Sequence, residues 1–240
     1  MCKNTICALI TTLFLLYQNL PLKETTMDSP IYITREPPPE NYNQGGDIDL
    51  QHSSHQTNIG INSHRLFTSG FCLLRERFST SNYGDISAPA PLEERRVNPT
   101  KPLIGIFAIQ KNEVVVQMYI YNAHMQTPVD DDFQKILKVF RRKNPRGAMI
   151  HFGSLASGEH LKTNPRVIGQ VLREGFEFAT EIRFERAFAC VNPKHVDFYT
   201  RVIGFRKLAA VKCITGLENA PGVLMDATPN SLNLKNLLRL

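Results

Sequence analysis

From about residue 61 onward, the apolar positions of this chain switch repeatedly between a helical and an extended period. Leu66, Phe67, Phe71, Leu74 and Phe78 recur at helical spacing and predict a helix over 63–78, ended by Asn82-Tyr83-Gly84-Asp85. Residues 103–110 and 114–121 read as strands joined at Lys111-Asn112-Glu113, a connection of hairpin length. Phe133, Ile136, Leu137 and Phe140 form the buried stripe of a helix over 130–142, and Asp130, Asp131 and Asp132 suit its positive N-terminal end. Residues 148–156 predict another strand. Thr163 or Asn164 caps the next helix, Pro165 opens it, and Ile168, Val171, Leu172, Gly175, Phe176, Ala179 and Ile182 face the core. A strand over 183–191 completes a strand–helix–strand crossover, which sets its two strands parallel in one sheet.

The next stretch, 191–205, reads V-N-P-K-H-V-D-F-Y-T-R-V-I-G-F. Asn192 is a capping residue, and Pro193 stands where its missing N–H does no harm. Val196, Tyr199, Val202 and Ile203 make one buried face, and Gly204 is a left-handed stop. Two last strands, 206–214 and 222–227, follow, and 231–240 forms a short terminal helix or frays.

The first 60 residues follow different rules. The apolar run 6–17 resembles the core of a secretory signal but is too short to span a bilayer, and no small-residue cleavage site follows it. Residues 1–26 are therefore signal-like, or precede a true start at Met27. Over 27–60 the one basic residue, Arg35, faces five acids, and Pro37-Pro38-Pro39 interrupts any regular element. So polar a segment is expected to be a disordered tail, leaving 61–240 as the folded domain. A proline-rich connection over 88–102 is expected to act as a mobile flap.

Composition narrows the chemistry. The net charge of +6 is uneven, and with 27–60 acidic the folded part is more basic than the total; such a body attracts nucleic acid, anionic lipid or an acidic protein without choosing among them. Trp is absent, so no tryptophan platform for bases exists. The five cysteines are scattered with no zinc-type spacing and no disulfide framework, which points to a reducing compartment and no metal. Cys190 reads as a packed thiol, and His52, His55 and His64 as solvated tail residues.

The pattern N-P-x-H-V-x-F-Y-x-x-x-x-G-F from Asn192 to Phe205, followed by N-A-P-x-V-L-M from Asn219 to Met225, resembles the C-terminal half of N-acyl amino acid synthases. These are long-chain acyltransferases of the GNAT superfamily, related in fold to the synthases of acyl-homoserine lactones. The resemblance implies an α/β (α+β) fold: a GNAT-like mixed sheet whose central parallel strands splay apart, flanked by helices. It implies an N-acyltransferase that moves a long-chain acyl group from an acyl carrier protein thioester to the amine of an amino acid or similar small molecule. An acyl-phosphopantetheine or acyl-CoA is then a co-substrate, with no tightly bound cofactor. The chain is expected to be cytoplasmic, in line with its scattered cysteines, with no nucleic-acid partner and with membrane contact allowed but not required. An acetyl-CoA-dependent N-acetyltransferase and a non-catalytic module that binds acyl groups or partners are the alternatives.

The splay is expected between 149–156 and 188–191, where exposed peptide groups would bind the amide-rich pantetheine arm as a neighbouring strand would. Phe152, Gly153, Ser154, Leu155, Val191 and Asn192 are the candidate arm-binding residues. Gly153 is the expected bulge, and an N–H near 152–155 would stabilise the oxyanion. His151 stands where relatives often carry Glu and is the candidate base, or else a histidine satisfied within the sheet. Ser154 stands where the family often has Arg. Tyr199 occupies the position whose hydroxyl protonates the departing thiolate, or serves as a core tyrosine. The basic helix face of Lys135, Lys138, Arg141, Arg142 and Lys143 is a solvated surface or a dock for an acidic carrier protein. The loop 157–162 lacks the glycine-rich signature that binds the coenzyme A pyrophosphate, which favours a carrier donor.

Overall fold

Alternating apolar runs dictate a sheet, and a computed structural model of the chain describes it through residues 30–38, 63–80, 102–124, 131–158, 165–211 and 220–233. Seven strands pair in the spatial order β1-β2-β3-β4-β5-β7-β6. They are β1 (Ile31–Glu36), β2 (Ile104–Gln110), β3 (Glu113–Asn122), β4 (Met149–Ser157), β5 (Arg186–Val191), β6 (Arg206–Val211) and β7 (Gly222–Ala227). Every neighbouring pair is antiparallel except β4 with β5, which the crossover helix makes parallel. Lys111 and Asn112, both at positive φ (52° and 64°), turn β2 into β3. This handedness matches the twist of a two-residue hairpin.

Helices cover both faces. α1 (Ser63–Thr80) and α2 (Asp131–Lys143) lie on one side, and α3 (Pro165–Glu181) lies on the other. The larger core joins Ile106, Met118, Ile150 and Phe152 of the sheet to Val171, Leu172 and Phe176 of α3. Gly175 lets α3 approach closely, since a Cβ there would fall 2.3 Å from Met118 Cε. On the opposite face α1 sets Leu66 and Phe67 against Phe107, Tyr119 and Tyr121. Phe133 and Leu137 of α2 cover Met149, Phe188 and Leu224.

The segment after β5 is a composite helix: a 3-10 turn at Pro193–His195, α geometry at Val196–Phe198 and a π turn at Tyr199–Ile203. Asn192 Oδ1 accepts from Lys194 N at 3.0 Å, so the asparagine caps as its position predicts. Gly204 ends the helix at φ 97°, and a Cβ there would fall 1.9 Å from the Ser231 carbonyl oxygen. No other residue meets both conditions.

Three expectations need correction. Residues 31–36, assigned to the tail, form an edge strand in full register with β2, from Ile31↔Gln110 to Glu36↔Gly105. What holds this strand is remote in sequence. Arg35 reaches across to Glu174 (2.8 Å), Glu177 (3.1 Å) and Glu181 (2.8 Å), carboxylates that share one face of α3. Secondly, the bulge belongs to Ser154 at φ 56°, not to Gly153, which is absent from the positive-φ residues. Thirdly, β4 and β5 stay paired through Phe152↔Ala189, so the fork opens later than expected. The notions about 39–60, the flap before Pro102 and the helix over 234–240 lie outside the described residues.

Because the Arg35 pairs are partly solvated, Arg35→Ala should cost only about 1 kcal/mol. Its signature is local: amide hydrogen exchange of Ile31–Glu36 accelerates while that of β3 and β4 does not.

Candidate active site

A parallel pair at the centre of a sheet normally pairs along its whole length, but β4 and β5 do not. Their ladder runs from Met149↔Arg186 to Phe152↔Ala189 and stops, although β4 continues to Ser157 and β5 to Val191. Cys190 and Val191 pair on their far side with Leu224 and Val223 of β7. On the β3 side, Tyr119 faces Gly153 while Gln117 faces Ala156, so Ser154 and Leu155 have a partner in neither ladder. The result is a fork: two backbone edges diverging from Phe152 and Ala189.

One wall of the fork is polar and buried. His151, paired with Tyr121 in the β3–β4 register, is 2% exposed, and neither ring nitrogen has a hydrogen-bond partner. Burial alone lowers its pKa to about 4, so the ring is neutral at physiological pH with a lone pair available. Tyr121 stacks on it at 5.7 Å between ring centroids and sets its hydroxyl 3.3 Å from Ser154 Oγ. Gln117, fully buried, donates from Nε2 to the Ser154 carbonyl at 3.3 Å. Gly153 leaves room for the two rings: a Cβ would come within 3.0 Å of His151 Cε1 and 3.1 Å of Tyr121 Cε2 and press both aside.

Tyr199 lies across the sheet from this wall. It packs with the core beneath α3, between the rings of Phe198 (5.7 Å) and Phe205 (5.6 Å). The ring is half-buried, and burial pushes its phenol up to about 12, so it stays protonated. Its carbonyl accepts from Gly204 N, the bond of the π turn, and from Phe205 N, the bond that closes the helix end past the left-handed glycine. His151 and Tyr199 therefore lie on opposite faces of the sheet.

A family model for the FeeM N-acyl amino acid synthases matches residues 71–228, well over half of the chain. The chain belongs to this family. It is accordingly an N-acyltransferase. A search of the curated proteins found no match. Among solved structures, FeeM, an N-acyl amino acid synthase from uncultured soil microbes, superposes with a TM-score of 0.57 at 14% identity, over 83% of this chain and 91% of that one. An acyl-CoA N-acyltransferase from Pseudomonas aeruginosa gives 0.50 at 11% identity, over 83% of this chain and 100% of that one. BjaI, a CoA-dependent acyl-homoserine lactone synthase, gives 0.50 at 11% identity, over 73% and 81%. At such low identities these three likenesses establish the fold, a GNAT-like mixed sheet.

Within this N-acyl amino acid synthase, Phe152, Gly153, Ser154, Leu155, Val191 and Asn192 all border the fork, with His151 at its base. The basic face of α2 is less uniform than its sequence. Arg141 is half-buried, its guanidinium donating to the Ala123 carbonyl and to Gln134 Oε1, while Lys135 pairs with Asp132 at 2.7 Å. Lys138, Arg142 and Lys143 are exposed. Most of the loop before α3 lies outside the described residues. Among the described residues no group of side chains could hold a metal ion, and no helix is long and apolar enough to cross a membrane.

Sequence reasoning missed Tyr121 and Gln117. A signal existed: Gln117, Tyr119 and Tyr121 alternate on one face of a strand buried on both faces, where polar groups are expensive.

Proposed function

We propose that this enzyme moves a long-chain acyl group from an acyl carrier protein thioester to the amine of an amino acid or a similar small amine. The observation carrying this reading is the fork itself, opening beside a buried histidine that has no partner. The amides of the pantetheine arm would pair with the strand edges that diverge after Phe152 and Ala189, laying the thioester between His151 and Tyr199. A backbone N–H of the bulge would receive the carbonyl oxygen as it becomes an oxyanion.

Neutral His151 is a weak base in the empty site. The nitrogen it must deprotonate becomes far more acidic once it has attacked the carbonyl, and an acceptor's carboxylate nearby would raise the imidazole pKa. Tyr199, held protonated, donates to the departing sulfur. A thiol leaves readily without help, so Tyr199→Phe should lower kcat only about tenfold and leave KM for the amine nearly unchanged. Steady-state kinetics check this, and a change confined to KM would remove Tyr199 from the chemistry.

Lys138, Arg142 and Lys143 are the surface offered to an acidic carrier in the reducing cytoplasm. The deciding experiment supplies purified enzyme with palmitoyl-loaded carrier, palmitoyl-CoA or acetyl-CoA and an equimolar mixture of the standard amino acids, read by mass spectrometry. Acyl amino acids from the loaded carrier, lost in His151→Ala, bear the reading out. Products from acetyl-CoA alone would make the enzyme a short-chain N-acetyltransferase.

A further inference from the structure

Gln117 sits in the middle of β3 with its side chain 0% exposed, a poor place for an amide on a strand buried on both faces. Its Nε2 donates to the Ser154 carbonyl, and that oxygen can only accept, so the orientation of the amide is settled by its partner. The opposite atom, Oε1, lies over the backbone notch of Gly70 in α1, where an added Cβ would fall 2.1 Å from it. It has no hydrogen-bond partner. As packing, leucine or methionine would fill the space without stranding an acceptor. Only the bond to Ser154 requires the amide.

Ser154 is where β4 leaves its regular course. Its φ of 56° is disfavoured for any residue with a Cβ, and neither neighbouring strand pairs with it. It is held at two points instead, its hydroxyl beside the Tyr121 hydroxyl and its carbonyl on Gln117. The Ser154 C=O and the Leu155 N–H share one trans peptide plane and point in opposite directions. Gln117 holds that oxygen on its own side, so the Leu155 N–H is turned away from Gln117.

We propose that Gln117 is a positioning residue: by holding the Ser154 carbonyl it aims the Leu155 N–H at the oxygen of the reacting thioester. The inference rests on the acyl-transfer reading of the fork and adds to it the particular N–H and the side chain that directs it. Gln117 itself touches no reacting atom. Its loss acts through one peptide plane and falls on the rate of the chemical step.

The test uses Gln117→Met and Gln117→Leu, both of which fill the space and remove the donor. With palmitoyl-loaded carrier and the standard amino acids, kcat should fall about 100-fold, the usual effect of losing one oxyanion donor, while KM for the carrier moves less than about threefold. In 15N-labelled protein the Leu155 amide should shift and exchange faster, while those of Met149–Phe152 stay as in wild type. A variant that keeps kcat within about twofold, or leaves the Leu155 amide unmoved, overturns the proposal. Should wild type itself transfer no acyl group, the acyl-transfer reading fails, and the clamp is then decided by the Leu155 amide alone.

Discussion

His151→Phe should yield a protein that is more stable than wild type and nearly inactive. The phenyl ring keeps the stack on Tyr121 and removes two buried nitrogens that lack partners, each kind of stranded polar group costing about 1–3 kcal/mol. Activity should fall about 10²–10⁴-fold, the range for a general base. The pH dependence of stability supplies an independent check. The folded-state pKa of about 4 lies below the ordinary 6.5, so folding favours the neutral ring. That contribution is present in full above pH 6.5 and is lost as pH falls toward 4, worth at most about 3 kcal/mol. Denaturant midpoints measured from pH 4 to 8 should therefore slope upward in wild type and flatten in His151→Phe. A phenylalanine variant that is less stable at pH 7 and equally acid-sensitive would mean the imidazole is satisfied within the fold.

The largest loss of stability should come from stranding Asp226. Its carboxylate is 0% exposed, and its hydrogen bonds come from Arg186 and, at 2.6 and 3.0 Å, from Arg206. These residues lie on β7, β5 and β6, so one buried charge ties together the last three strands of the sheet. The arginine side chains are 25% and 65% exposed and lose less than the acid when the group is broken. Removing Asp226 alone thus leaves two cations with access to water. Removing both arginines leaves a buried anion with neither of its partners, a situation that costs about 3–5 kcal/mol. Arg186→Leu with Arg206→Leu should be the least stable combination, and adding Asp226→Leu should recover much of the loss. Chemical denaturation of the single, double and triple variants measures this. If the double variant loses no more than the sum of small single effects, Asp226 is satisfied by other means.

How far the sequence speaks depends on the range of the forces involved. Asn192, Pro193 and Gly204 act on their own neighbours, and the helix they delimit stands where those residues place it. The hydrophobic stripes of α2 and α3 are equally local, as is the crossover that makes β4 and β5 parallel. β1 is different. Ile-Tyr-Ile-Thr-Arg-Glu is a short run in an acidic, proline-rich stretch, and its stability is supplied by β2 and by glutamates about 140 residues away. Local composition cannot register such partners. The bulge was misplaced for a related reason. A glycine in a strand invites the assignment of special backbone geometry, yet Gly153 is small to admit two rings, and its neighbour takes the left-handed φ. The neighbours of His151 follow from strand register alone, which composition does not fix.

The edge position of β1 bears on how this enzyme can be handled. A shortened gene product begun at residue 61 would lose the whole strip beside β2, uncovering a row of unsatisfied amides on Ile104–Gln110. Such a product should clump rather than dissolve as single molecules. Production begun at Met27 keeps the strip intact, with any affinity tag attached only a few residues from the margin of the sheet.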